Sequence, residues 1–234
     1  MDIHWGANWG LRLAIAAPMI AALSLGLFRF GLMDFRLPLL GVAVATAIAA
    51  VALVLAIIGL VWGGINGRAL AALVIALAVL FVPLNTMRRG AAVPAIHDIT
   101  TDLKNPPQFE AVQNIRSPSD NSLALDAKVL AQQEQHYNVQ AAVLDYAPTA
   151  AFDIVLGAVQ AMGWQVVQAT RGRGTIEASV QTPLFGFIDD VVIRLSPEGK
   201  NTRVDMRSAS RVGVSDLGAN AARIEAFMQT LNDN

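Results

Sequence analysis

Three stretches without a single Asp, Glu, Lys or Arg fill most of the chain between Arg12 and Arg89: Leu13–Phe28, Leu37–Gly67 and Ala69–Met87. A helix that crosses a bilayer needs about 20 apolar residues at 1.5 Å rise each. The second stretch exceeds that, with its best window near Leu39–Trp62, and the third holds 19 residues. The first holds only 16, and becomes adequate once Arg12 and Arg29 snorkel toward the headgroups. Expected spans are therefore about 11–30, 38–62 and 69–87, making residues 1–90 a membrane anchor of three transmembrane helices. Pro18 is tolerated in lipid where neighbouring helices cover the carbonyl it frees.

A soluble buried hairpin is the competing fold. Val42–Leu60, with Thr46 as its only hydroxyl and no charge, argues against it. A cleavable signal peptide could account for the first stretch, but two spans would remain. No Asp, Glu, Lys or His interrupts a span, which disfavours proton relays and coupled transport. Gly41, Ala43, Ala45, Ala47, Ala49, Ala50 and Ala52 let helix backbones approach closely. They suit a compact three-helix cluster or contact with another membrane protein. Membrane lipid and such a protein are the expected partners.

Composition sharpens the division. The whole chain is 54% hydrophobic and 15% charged, too apolar for one soluble domain. Residues 1–90 carry net +4 and residues 91–234 net −5, so nothing suggests a nucleic-acid partner. The sequence has no cysteine, which excludes disulfides, Fe–S clusters and a thiol nucleophile. No cofactor is implied.

Residues 91–139 read as a Pro- and Asp-rich strap and linker. Pro94, Pro106 and Pro107 break any helix there, and one short helix fits 126–136. Residues 140–234 read as an α+β domain. A helix opens at Pro148 or Thr149 with the stripe Phe152, Val155, Leu156, Val159 and Met162, and stops at Gly163. Strands follow at 164–170, 175–181, 188–195 and 202–208, then a helix over 217–231. This order predicts an antiparallel sheet with helices packed on one face.

A hairpin centred between Glu198 and Gly199 sets Asp190 opposite Arg207, Val192 opposite Asp205 and Arg194 opposite Arg203. Asp190, Arg194, Asp205 and Arg207 then form a salt-bridge ladder on a solvated sheet face. A second reading is an anion site. Arg207, Ser208, Ser210 and Arg211 lead into Ser215-Asp216, with Asn220 and Arg223 in the final helix; hydroxyls, guanidinia and a helix start can hold phosphate or carboxylate. Asp216 as the helix cap competes for the same amides. His97, Asp98 and Asp102 form H-D-x-x-x-D, readable as a structural strap with turn-capping carboxylates or as metal ligands. No G-x-S-x-G occurs. Residues 182–187 form an apolar loop that covers the core or faces a membrane or partner.

VPAIHDITTDLKNPPQF, the Gly163-Trp164 pair, GTIEA at 174–178, GFIDDVVIR at 186–194 and RSASRVGVSDLGANAARI at 207–224 together resemble the family called domain of unknown function 1499, over about residues 93–232. The resemblance implies a domain boundary and no reaction. His97, Asp98, Asp102, Glu177, Asp189, Asp190, Arg194, Arg207, Ser208, Ser210, Arg211, Asp216, Asn220 and Arg223 fall in its motifs. It also implies an extracytoplasmic domain, periplasmic on a multi-pass inner-membrane protein. The arginines point the other way, with two flanking the first side and four the second, where the domain lies. Expected functions are a membrane-tethered binding or assembly module, such as an accessory subunit of a larger complex; a lipid or small-anion binding domain; or a hydrolase using His97 and nearby carboxylates.

Overall fold

The computed structural model describes residues 4–183 and 185–233. The chain divides into two compact units, 1–89 and 90–234.

The first unit is helical: α1 (Trp5–Arg29), α2 (Arg36–Gly63) and α3 (Gly67–Ala91). All three are long and apolar enough to cross a membrane, and the protein is a multi-pass membrane protein. α1 starts six residues before the expected span, and its 25 residues reach about 37 Å. Arg12 lies inside it with its guanidinium 5.1 Å from the Trp9 ring centroid. That stacking shelters the charge at a level where Trp side chains favour the membrane–water interface.

α1 and α2 run antiparallel along a seam of small residues. A Cβ on Gly59 would fall 2.8 Å from the Ala7 nitrogen, and one on Gly6 would fall 3.0 Å from the Leu55 carbonyl oxygen. Ala14, Ala52, Ala56, Ala72 and Ala76 are buried together across the three helices. Of the small residues singled out in α2, Ala52 belongs to this cluster and Ala45 and Ala49 to a second one with Ala17 and Leu80, whereas Ala43, Ala47 and Ala50 are exposed. Arg68 Nη1 donates to Asn8 Oδ1 at 2.8 Å, fastening the start of α3 to the start of α1.

The second unit is an antiparallel sheet with helices. Its strands are β1 (Asp98–Thr100), β2 (Ala142–Leu144), β3 (Gln165–Thr170), β4 (Thr175–Gln181), β5 (Ile188–Glu198) and β6 (Asn201–Ser210). The spatial order is β1-β6-β5-β4-β3, with β2 also pairing β6. Thus β6 carries β5 on one side and both short strands on the other. The helices are α4 (Ala127–His136), α5 (Pro148–Ala161) and α6 (Ala219–Asn232).

Alternation along the strands builds the core. Ile176, Ala178, Val191, Ile193, Leu195, Val204 and Met206 point to one face and are buried with Phe152, Val155 and Val159 of α5 and Ile224, Phe227 and Leu231 of α6. Each large apolar side chain so buried contributes about 1.5–3 kcal/mol. Trp164 stacks on Phe227 with ring centroids 5.1 Å apart.

Two expectations are corrected. The β5–β6 turn is centred one residue later, because Glu198 pairs with Asn201 and Pro197 with Thr202. Gly199 supplies the positive φ, 65°, at the first position of this two-residue turn. Arg207 therefore lies opposite Val192, Arg194 opposite Asp205 and Arg203 opposite Ser196. The polar sheet face is also not solvated. Phe109 and Val112 of the strap are buried against Val192 and Ala209, so residues 101–125 form a layer of their own.

Candidate functional site

The six residues read as an anion site divide between the two faces of β6 and its extension. Successive side chains on a strand point oppositely, so Arg207 and Arg211 reach the strap face while Ser208 and Ser210 reach α6.

On the strap face, the Asp190 carboxylate is fully buried. Its Oδ2 accepts Arg116 Nε at 2.7 Å and Arg211 Nε at 2.9 Å; its Oδ1 accepts Arg211 Nη2 at 2.9 Å and Ser179 Oγ at 2.7 Å. Burial alone would push this carboxyl up, but the hydrogen bonds from Arg211 and Ser179 and the charge of Arg116 outweigh it and hold it below its usual range. Arg116 also donates to the carbonyls of Asn121 and Ala209. Sequence reasoning missed Arg116, a lone arginine at the end of a Pro-rich strap with no local pattern around it.

Arg207 is 1% exposed. Its Nε and Nη2 grip Asp98 at 2.9 and 2.6 Å, Nη2 also reaches the Leu123 carbonyl at 2.8 Å, and the guanidinium lies over Phe109, 5.1 Å from the ring centroid. Asp205 binds Arg194 and Arg203, each at 3.1 Å, and accepts the Thr101 hydroxyl at 3.0 Å. Arg194 turns its other contacts to the strap, to Asp102 at 2.9 Å and the Asn105 carbonyl at 2.8 Å. Burial pushes the Asp102 carboxyl up, but the amides of Asn105 and Lys104 and the Arg194 side chain together hold it low.

Asp190, Arg194, Asp205 and Arg207 are thus ion-paired, in a different arrangement from the ladder. Asp190 and Arg207 do not pair with each other, and each instead clasps the strap.

On the helix face, Arg223 pairs with Asp189 and donates to Ser208 Oγ at 2.9 Å. Ser208 Oγ donates to Asn220 Oδ1 at 2.7 Å, and Asn220 Nδ2 donates to Ser210 Oγ at 2.9 Å and to the His97 carbonyl at 3.0 Å. Asp216 accepts the N–H groups of Gly218 and Asn220, both at 2.8 Å. Burial pushes its carboxyl above the ordinary value against those two amides, with nearby Asp189 adding to the rise.

Two further groups, Glu177 and Gln133, take partners that the sequence does not reveal. The buried Glu177 carboxylate accepts the backbone N–H groups of Glu110, Ala111 and Val112 at 3.0, 2.9 and 2.9 Å, capping the 3₁₀ turn Val112–Asn114. Gln133 meets both backbone groups of Thr100, accepting its N–H at 3.0 Å and donating to its carbonyl at 2.6 Å. The GTIEA motif includes Glu177 without naming its partners.

His97, Asp98 and Asp102 do not converge. Asp98 serves Arg207 and Asp102 serves Arg194. Among the described residues no group of three His, Cys, Asp or Glu could hold a metal. His97 instead lines an open cleft of about 440 Å³ with Asp98, Asn121, Ser122, Leu125, Asp126 and Val129. The 182–187 loop closes on itself through Thr182 and Phe187, with the rings of Phe185 and Phe187 stacked at 5.4 Å. Leu184 lies outside the described residues.

The domain matches the family model described as protein of unknown function (DUF1499) over residues 98–231. No curated protein matches the chain.

Proposed function

The chain belongs to the DUF1499 family, and from that premise we propose that it is a membrane-tethered binding module working within a larger membrane assembly. One observation carries the reading: Arg207, Arg211 and Arg223 each end on a carboxylate of the chain itself, Asp98, Asp190 and Asp189, while the cleft at His97 stays open. A guanidinium already held by an internal carboxylate has little to give a phosphate, so these arginines act as clasps. Asp98, held by Arg207, is likewise unavailable to orient His97 as a catalytic base.

The folded domain lies, in this proposal, on the periplasmic side of the inner membrane. The family resemblance supports that side, and a long domain translocates regardless of a two-charge bias.

Native mass measurement of the full-length protein released from lipid nanodiscs tests the binding role. A bound species or partner subunit is expected, lost on His97→Ala and on Leu125→Trp, which fills the cleft. A bare monomer from native membranes overturns the reading.

A further inference from the structure

The loop between β6 and α6, residues 211–218, presents two apolar side chains that the domain leaves uncovered: Val214 is 79% exposed and Leu217 40%. The loop is held firmly. Asn121 Nδ2 donates to the Gly213 carbonyl at 2.8 Å, and the Asp216 N–H donates to the Ile96 carbonyl at 3.1 Å. The Asp216 carboxylate turns inward onto Gly218 and Asn220, so the loop's one acid does not point out beside the exposed pair.

Leu217 has φ +56°, and among the described residues no other non-glycine has a positive φ. A β-carbon in that region crowds the following carbonyl, which is why Gly or Asn is the expected occupant. Keeping a strained leucine, and leaving it in water, is doubly unfavourable for an isolated domain. Such outliers persist where the side chain has a task.

The position of the loop identifies the task. Leu217 lies against Gly90, where an added Cβ would come within 2.9 Å of Leu217 Cδ2. Gly90 follows Arg88 and Arg89, the basic pair that closes the third apolar stretch. Ile96 is six residues further on, and a chain extends at most about 3.5 Å per residue. Connectivity alone therefore keeps the loop within about 20 Å of the end of a spanning segment.

We propose that Val214 and Leu217 rest in the lipid interface of the bilayer that the anchor crosses, with their side chains at the level of the upper acyl chains and Arg88 and Arg89 among the headgroups. An interfacial element needs an apolar projection and basic neighbours that favour anionic lipid, and the chain supplies both within one short reach.

The sequence has no native cysteine, so one can be placed cleanly in the full-length protein. Val214→Cys carries an environment-sensitive fluorophore, and Lys200→Cys in the β5–β6 turn is the reference. Both are reconstituted in phosphatidylglycerol–phosphatidylethanolamine vesicles. Nitroxide-bearing lipid is expected to quench the label at 214 several-fold more than at 200, with aqueous iodide showing the reverse order. Equal quenching at the two positions, or free access of iodide to 214, overturns the proposal. A label shielded in native membranes but open to iodide in pure lipid also overturns it, since a protein and not the bilayer then covers the loop.

Discussion

Asp98 and Arg207 stand 109 positions apart and meet through two parallel hydrogen bonds, Nε to Oδ1 and Nη2 to Oδ2. The pair sits where β1 crosses the edge of β6, with Thr100 registered on Arg207 and Asp98 on Ala209. Its geometry is the bidentate kind that only arginine offers a carboxylate.

Arg207→Ala should destabilise the domain by about 3–5 kcal/mol, because it leaves a carboxylate without its cation beneath the strap. Arg207→Lys should recover only part of that loss. Replacing both partners, Asp98→Leu with Arg207→Met, should cost less than Arg207→Ala alone. Denaturant titrations followed by Trp164 emission, with Trp5, Trp9 and Trp62 changed to Phe, give these values. Equal stability of Arg207→Ala and the parent would remove the clasp role.

The pH dependence follows from Asp190 and Asp102, both held below their usual 3.8 in the folded domain. A depressed folded value means the contribution is fully present above the unfolded value and is lost as pH falls through the folded one. The thermal midpoint should therefore hold steady above about pH 4 with respect to these groups and drop below it. Arg211→Ala should make the drop shallower, because it brings the folded Asp190 carboxyl up toward its unfolded value, and Asp190→Asn should remove the Asp190 share altogether.

Asp216 carries the opposite sign. Its raised carboxyl contributes stability that is fully present below the unfolded value and lost as pH rises through the folded one. Asp216→Asn should lessen the pH dependence just above the usual carboxylate range, and its midpoint should exceed that of Asp216→Ala because the amide oxygen still accepts an N–H. A midpoint no higher than that of Asp216→Ala would contradict the capping role.

Glu177→Ala frees three backbone N–H groups under the strap, at about 1–3 kcal/mol for each donor left without a partner. Hydrogen exchange should quicken at 110–112 while β5 and β6 stay protected. Uniform quickening through the sheet would mean that Glu177 supports the whole fold and not the 3₁₀ turn.

The anchor makes its own prediction. Gly59→Val drives a side chain into the α1 backbone at Ala7 and should destabilise the detergent-extracted protein by about 1–3 kcal/mol. Gly26→Ala, with nothing within 4 Å of the added carbon, should be silent. Equal effects would argue that α1 and α2 do not pack along this seam.

The faces of the hairpin were legible in the sequence, and the neighbours were not. Moving the turn centre by one residue changes each cross-strand partner by two positions, and a two-residue change leaves every side chain on its original face. So Asp190, Arg194, Asp205 and Arg207 were correctly grouped, while Asp190 was given Arg207 in place of Arg116 and Arg211. The three spans were legible because lipid demands a composition that charge-free runs display directly. The strap was not, since its order comes from Arg116, Glu177 and Gln133 reaching across 33 to 74 residues, and no local periodicity records such contacts. The candidate anion residues divide for a related reason: serines and arginines adjacent in sequence alternate sides once they lie on a strand, so Arg207 and Arg211 face the strap while Ser208 and Ser210 face α6.

The double duty of β6 dictates an order of events during synthesis. β1 leaves the ribosome early and cannot pair until β6 follows, more than 100 residues later, as the 109-residue separation of Asp98 and Arg207 requires. At elongation rates of roughly 5–20 residues per second, that interval is about 5–20 s. Throughout it the anchor is already made while Asp98 waits for Arg207. The last strand to appear closes the sheet and the clasps together, which makes completion of this domain a late, all-at-once step governed by long-range contacts.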